Sequence, residues 1–272
     1  MASEGGDLTN RLGACALGLL AFAAASCGGS GGSAQDLPAN SPPTLASRCG
    51  PAGEHVQAKR VWFRASDGTL LDGAALGAGN VAVVLAHEYP SDLCPWLPYA
   101  QSLASHGYRA LVFDLRGSGA SHPASVGGNQ ARYDLDVEAA AAEAWRLGAK
   151  QVFLLGASAG GAAVLVAGAS MSPAPAGVIS LSGETNLSSS LDALRTAPRL
   201  RAPLLLLLAR HDRYVGVDDY RSLEREAAST DKRMVAYSGN WHGWDLLYLA
   251  PFKSQVNALI LDFLKKHSGT GE

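Results

Sequence analysis

The sequence predicts an α/β fold: a mostly parallel, twisted sheet with helices on both faces and no large cap domain. Three observations predict it. From Arg60 onward, strand-length apolar runs alternate with helix-length stretches, an order that implies right-handed crossovers and a largely parallel sheet. The run Val81–Ala86 (VAVVLA) is apolar throughout, as expected of a strand buried on both faces. A third run, residues 151–155, leads straight into Gly156-Ala157-Ser158-Ala159-Gly160-Gly161 and a helix, placing a serine at the apex of a strand–turn–helix junction.

The elements follow in order. Residues 60–64 and 70–75 are strand-like runs around Ser66-Asp67-Gly68, which reads as a hairpin turn. After strand 81–86, a helix over 96–106 ends at Gly107. Strand 110–113, helix 134–147, strand 151–155 and helix 158–169 come next. Strand 178–181, a short helix over 187–194, strand 203–208, helix 218–228, strand 233–237 and helix 251–266 complete the pattern. Only about 20 residues separate strand 178–181 from strand 203–208, which leaves no room for a separate lid.

With 272 residues, 47% hydrophobic and 17% charged, the chain suits one globular domain (residues 59–268) with a short extra segment. A net charge of −2 gives no reason to expect nucleic acid as a partner. Residues 1–27 read as a targeting segment: the apolar stretch 12–26 is 15 residues long, whereas a spanning helix needs about 20. Ala24-Ala25-Ser26-Cys27 resembles the lipobox of bacterial lipoproteins, with Ala24 where leucine is usual and a single Arg11 against Glu4 and Asp7. The expectation is lipidation at Cys27 and tethering to a bacterial cell envelope; the alternative is a plain secretory signal and a periplasmic or secreted protein. Residues 28–58, rich in Gly, Ser, Pro and Ala, read as a flexible linker. In an exported chain Cys49 and Cys94 can form a disulfide pinning this N-terminal arm beside the first helix of the fold, or remain two free thiols. No cysteine or histidine spacing suits a metal, and no cofactor is expected.

The junction at Ser158 has a chemical reading. A sharp turn lifts the hydroxyl clear of the backbone, small neighbours avoid the clashes that turn creates, and the helix N-terminus presents N–H groups to a developing negative charge. The bland reading is a helix N-cap. A nucleophilic serine needs a base oriented by an acid. Asp212 lies just after strand 203–208 and His242 just after strand 233–237, both at strand C-terminal ends and in the order Ser…Asp…His. His211, His267 and His55 are worse placed, and Asp218 and Asp219 suit the start of the next helix.

Residues 60–266 resemble the α/β-hydrolase superfamily. The resemblance rests on the serine junction, on Leu85-Ala86-His87-Glu88-Tyr89-Pro90-Ser91-Asp92, on Phe113-Asp114-Leu115-Arg116-Gly117-Ser118-Gly119-Ala120-Ser121, and on Arg210-His211-Asp212-Arg213-Tyr214-Val215. It implies an α/β-hydrolase fold and an oxyanion hole made by the backbone N–H of Ala159 and one from Glu88 or Tyr89. Glu88 departs from the glycine of many members; its carboxylate must turn away, pair with a cation such as Arg116 or Arg213, or take its own role. The His-Glu pair resembles the dienelactone-hydrolase branch, which has cysteine where this chain has Ser158. Trp96, Trp241 and Trp244, with Tyr89, are candidates to line an acyl pocket or to pack loops. The expectation is a serine hydrolase cleaving a carboxylic ester of a small molecule by an acyl-enzyme, with peptidase or lactone hydrolase as alternatives and a catalytically silent tethered binding protein as the alternative of another class. Nucleic acid is not expected to bind, and membrane contact only through a lipid anchor.

Overall fold

The computed structural model describes residues 43–124, 128–129 and 131–269. The segment expected to carry the signal, Cys27 and most of the linker lies outside them. The described residues form one eight-stranded sheet in the order β1-β2-β4-β3-β5-β6-β7-β8. Its strands are β1 (Ala58–Arg64), β2 (Leu70–Leu76), β3 (Val81–Ala86), β4 (Arg109–Phe113), β5 (Gln151–Ala157), β6 (Gly177–Leu181), β7 (Leu204–Ala209) and β8 (Lys232–Tyr237). β2 runs antiparallel to β1 and β4, through a turn whose Gly68 takes φ 87°. Every other pairing is parallel.

Side-chain alternation divides the core into two layers. In β3, Ala82, Val84 and Ala86 join one cluster, while Val81, Val83 and Leu85 join the other. The first cluster takes helices α4 (Tyr133–Arg146), α5 (Ala159–Ser170) and α7 (Val217–Glu226). The second takes α3 (Leu97–Ser105), α8 (Asp245–Tyr248) and α9 (Lys253–His267). An all-apolar strand is therefore covered on both sides, as its sequence requires. β8, at the edge, is only half-buried and carries Lys232 and Arg233, which suits a strand with one free side. Helix α5 is apolar all round and buried along nearly its whole length.

Two expected elements differ. Residues 45–54 are not linker: they form α1 (Leu45–Cys49) and α2 (Pro51–Glu54). Thr44 caps α1 by accepting from the Ser47 N–H. Arg48 Nη1 reaches Asp72 at 2.8 Å and Nη2 reaches Asp114 at 2.6 Å, and Cys49 is joined to Cys94 in a disulfide. Long-range bonds order this arm, and they leave no periodic trace in its sequence. The helix expected over 187–194 is also absent. Ser188 Oγ accepts from the Leu191 N–H, Ser190 Oγ donates to the Ala131 carbonyl, and Asn186 bridges Asp192. Serine side chains offer the backbone partners outside a helix, so α6 is only Ala193–Thr196, begun by Asp192 accepting from the Arg195 N–H. No cap domain interrupts the described sheet.

Candidate active site

Ser158 stands between β5 and α5 with φ 49° and ψ −120°, a conformation that is costly for a residue with a Cβ. The surroundings hold it there. Its N–H donates to the Leu181 carbonyl at 2.9 Å. At Gly156 a Cβ would run into the Gly160 carbonyl, and at Gly160 into the carbonyls of Ala86 and His87. These glycines let the strand, the turn and β3 come together. The opening N–H groups of α5, Ala159 first, have no intrahelical acceptor and carry the positive end of the helix dipole.

Asp212 follows β7 and His242 follows β8, and the two loops are tied together by His211 N–H on the Gly239 carbonyl at 2.9 Å. His242 Nδ1 lies 2.9 Å from both Asp212 carboxylate oxygens. The Asp212 side chain is fully buried and the imidazole is 20% exposed, so the acid is sealed while the base keeps an open side. Burial acts to raise the Asp212 carboxyl, but the bonds from His242 and from the Tyr214 N–H outweigh it and hold it below its ordinary value. Tyr214 lies against the imidazole, ring centroids 4.5 Å apart. Gly243, at φ 51°, is so close to the elbow that a Cβ there would stand 3.6 Å from Ser158 Cβ. Of the three residues singled out from the sequence, Asp212 and His242 are bonded to each other, and the residue after His242 packs against the turn that carries Ser158.

The loop after β3 forms the other wall. His87 is fully buried: Nε2 accepts from the Leu115 N–H at 2.9 Å, which leaves Nδ1 to donate to the Glu88 carbonyl at 2.7 Å. Burial holds its pKa down and the ring neutral. It is a brace between this loop and the loop after β4. Glu88 pairs with neither arginine suggested by the sequence. Arg116 is fully buried against Asp136, with Asp67 as its second partner, and Arg213 is exposed. Glu88 Oε2 instead accepts from the Trp96 indole N–H at 3.3 Å, and burial raises its pKa.

The aromatic residues need correction. Trp96 is fully buried in the core, edge-on to Tyr99, and therefore supports Glu88 from behind instead of lining a pocket. Trp244 donates to the Pro95 carbonyl at 3.3 Å and stacks on Tyr248; Trp241 is half-buried beside Gly239. Tyr89 is 66% exposed.

Sequence reasoning missed Glu184. Ser158 Oγ donates to Glu184 Oε1 at 3.1 Å, and no hydrogen bond joins Ser158 to His242 among the described residues. Glu184 sits three residues beyond β6, the strand beside β5, in Ser182-Gly183-Glu184-Thr185. Its position at a strand C-terminal end was the available signal. Among the described residues no group of three His, Cys, Asp or Glu side chains can hold a metal ion.

The architecture finds counterparts among known proteins. The chain has the α/β-hydrolase fold. A family model described as serine aminopeptidase, S33, matches residues 80–193, a stretch that includes Ser158, the loop after β3 and Glu184 but ends before Asp212 and His242. No curated protein matches the sequence. Among solved structures, the esterase Pf2001 of Pyrococcus furiosus is similar with a TM-score of 0.68 at 18% identity, over 84% of this chain and 98% of that one. The monoacylglycerol lipase of Paleococcus ferrophilus gives 0.62 at 18% identity, over 72% and 99%. The esterase domain of a Rhodothermus marinus protein gives 0.61 at 20% identity, over 79% and 100%. Likeness at this level shows a shared α/β-hydrolase fold, and this chain spans nearly the whole of each.

Proposed function

We propose that this protein is a serine hydrolase that cleaves a carboxylic ester of a small molecule through an acyl-enzyme. The observation that carries the reading is the buried Asp212 carboxylate on His242 Nδ1, with the adjoining Gly243 packed on a serine held at φ 49°. A chain folded only for stability has no use for a strained serine beside an oriented imidazole. The esterases and the lipase that share the fold support an ester as the substrate.

In this reading the Ser158 hydroxyl turns from Glu184 to His242 Nε2, which accepts its proton as Oγ attacks the carbonyl carbon. Asp212 holds the imidazole tautomer and stabilises the imidazolium. The backbone N–H of Ala159, with that of Glu88 or Tyr89, receives the oxyanion. His242 returns the proton to the leaving alcohol, and water then repeats the attack to release the acid. A second reading, cleavage of an amide by the same groups, is favoured by the description of the matched family.

The same proposal extends to place. Lipidation at Cys27 would tether the domain to a bacterial envelope, and the Cys49–Cys94 disulfide supports an oxidising compartment. The test is fluorophosphonate labelling with Ser158→Ala beside it, followed by a p-nitrophenyl ester series of increasing chain length. Labelling lost in Ser158→Ala, with ester hydrolysis, supports the reading. A folded chain that neither labels nor hydrolyses refutes it and favours the silent binding protein.

A further inference from the structure

Among the described residues the two oxygens of Glu184 have one hydrogen-bond partner between them. Oε1 accepts from Ser158 Oγ at 3.1 Å, whereas Oε2 is buried with no hydrogen-bond partner. The turn that carries it is clamped. Ser182 takes φ 50°. The Gly183 N–H donates to the buried Tyr220 hydroxyl at 2.5 Å, and that hydroxyl lies 3.1 Å from Ser180 Oγ. A Cβ on Gly183 would strike the backbone of Gly161 and Ala162. On the other side the Ala193 N–H donates to the Thr185 carbonyl at 2.8 Å.

Turning to His242 takes the Ser158 hydroxyl off Glu184, and acylation keeps it from returning. Once Oγ is bonded to the acyl carbon it carries no proton to donate, and its proton has passed through His242 to the departing alcohol. A carboxylate with no donor is then left beside the ester, and an unsatisfied charged acceptor is costly. A donor carried by the acyl group one bond beyond the carbonyl carbon lies within reach of a carboxylate already in contact with Oγ, and would restore the lost bond. We propose that Glu184 is a specificity-determining residue that selects acyl groups bearing a hydrogen-bond donor, hydroxyl or ammonium, next to the scissile carbonyl. This rests on the serine-hydrolase reading above, and supplies the acyl class which that reading leaves open.

The test compares methyl propionate, methyl lactate and alanine methyl ester, three acyl groups of one length, using the full chain and following acid release. In the wild type, kcat/KM for lactate, alanine or both exceeds that for propionate by about tenfold more than the ratio of their hydroxide-catalysed rates; which of the two does so identifies the donor as hydroxyl or ammonium. Glu184→Ala lowers the ratios about tenfold, to those the intrinsic reactivity of the three esters sets, and the isosteric Glu184→Gln, which keeps the shape of the site, lowers the alanine ratio by removing the charge. Wild-type ratios no larger than the hydroxide-catalysed ones, or ratios that survive in both variants, overturn the proposal: water then fills the place beside Glu184. A wild-type chain that takes the phosphonate label and hydrolyses the three esters in no more than those intrinsic ratios refutes only the role of Glu184. One that neither labels nor hydrolyses refutes the underlying reading.

Discussion

Removing the Cys49–Cys94 disulfide with paired alanine substitutions destabilises the chain by an amount that its position fixes. The two residues are 45 apart in sequence. Closing a loop of that length in the unfolded chain removes entropy worth about 4 kcal/mol at 25 °C. For a domain of this size that is a fall in melting temperature of about 8 to 16 °C. Native contacts in the arm survive the change, since Arg48 still reaches Asp72 and Asp114, both fully buried, so the native state keeps its geometry and the effect lies chiefly in the unfolded chain. The assay is urea unfolding of the wild type and of Cys49→Ala/Cys94→Ala, each with and without reductant. Reductant shifts the wild-type midpoint to that of the variant and leaves the variant unmoved. The arm bonds to β2, to the connection between β3 and α3 and to the loop after β4, whereas Ser158, Asp212 and His242 follow β5, β7 and β8. Phosphonate labelling of the folded variant at 25 °C therefore persists. A loss under about 1 kcal/mol would refute the reasoning, because the arm would then be constrained in the unfolded chain by something other than the bridge.

Two further outcomes follow from buried charges. Asp136→Ala leaves the fully buried Arg116 with the part-exposed Asp67 as its one carboxylate among the described residues and the Asn129 carbonyl; breaking such a pair from one side costs about 3 to 5 kcal/mol, read as a lower urea midpoint, whereas an unchanged midpoint would mean that water reaches the guanidinium. Glu88 gives a pH signature. Burial raises its carboxyl in the folded state, so the folded chain holds that proton more tightly than the unfolded chain, and the stability Glu88 contributes is present below its ordinary value and lost as pH rises through the raised one. Glu88→Gln should therefore gain on the wild type in melting temperature from about pH 4 upward, and a constant gap across pH would contradict this.

Much of the molecule was legible because its signals are local. Continuous apolar runs such as Val81–Ala86 have one stable placement, inside a sheet covered on both faces, and the glycines around Ser158 announce a turn that larger residues could not make. Asp212 and His242 could be found by topology, since each is a polar residue at the C-terminal end of a strand following the elbow. The same rule, applied to β6, reaches Glu184. It went unread because nothing in Ser182-Gly183-Glu184-Thr185 indicates which way a carboxylate will face; that is decided by the Tyr220 hydroxyl, contributed from α7, and by Gly183 packing on Gly161. The arm at residues 45–54 and the burial of Trp96 were hidden for a similar reason. Arg48 meets Asp72, 24 residues away, and Asp114, 66 away, and no periodicity records such contacts. Local sequence placed the groups proposed to perform the chemistry, while the group proposed to choose the substrate is set by contacts across the sheet, so a chain with the same Ser158, Asp212 and His242 but no carboxylate at position 184 should keep the reaction and lose the preference.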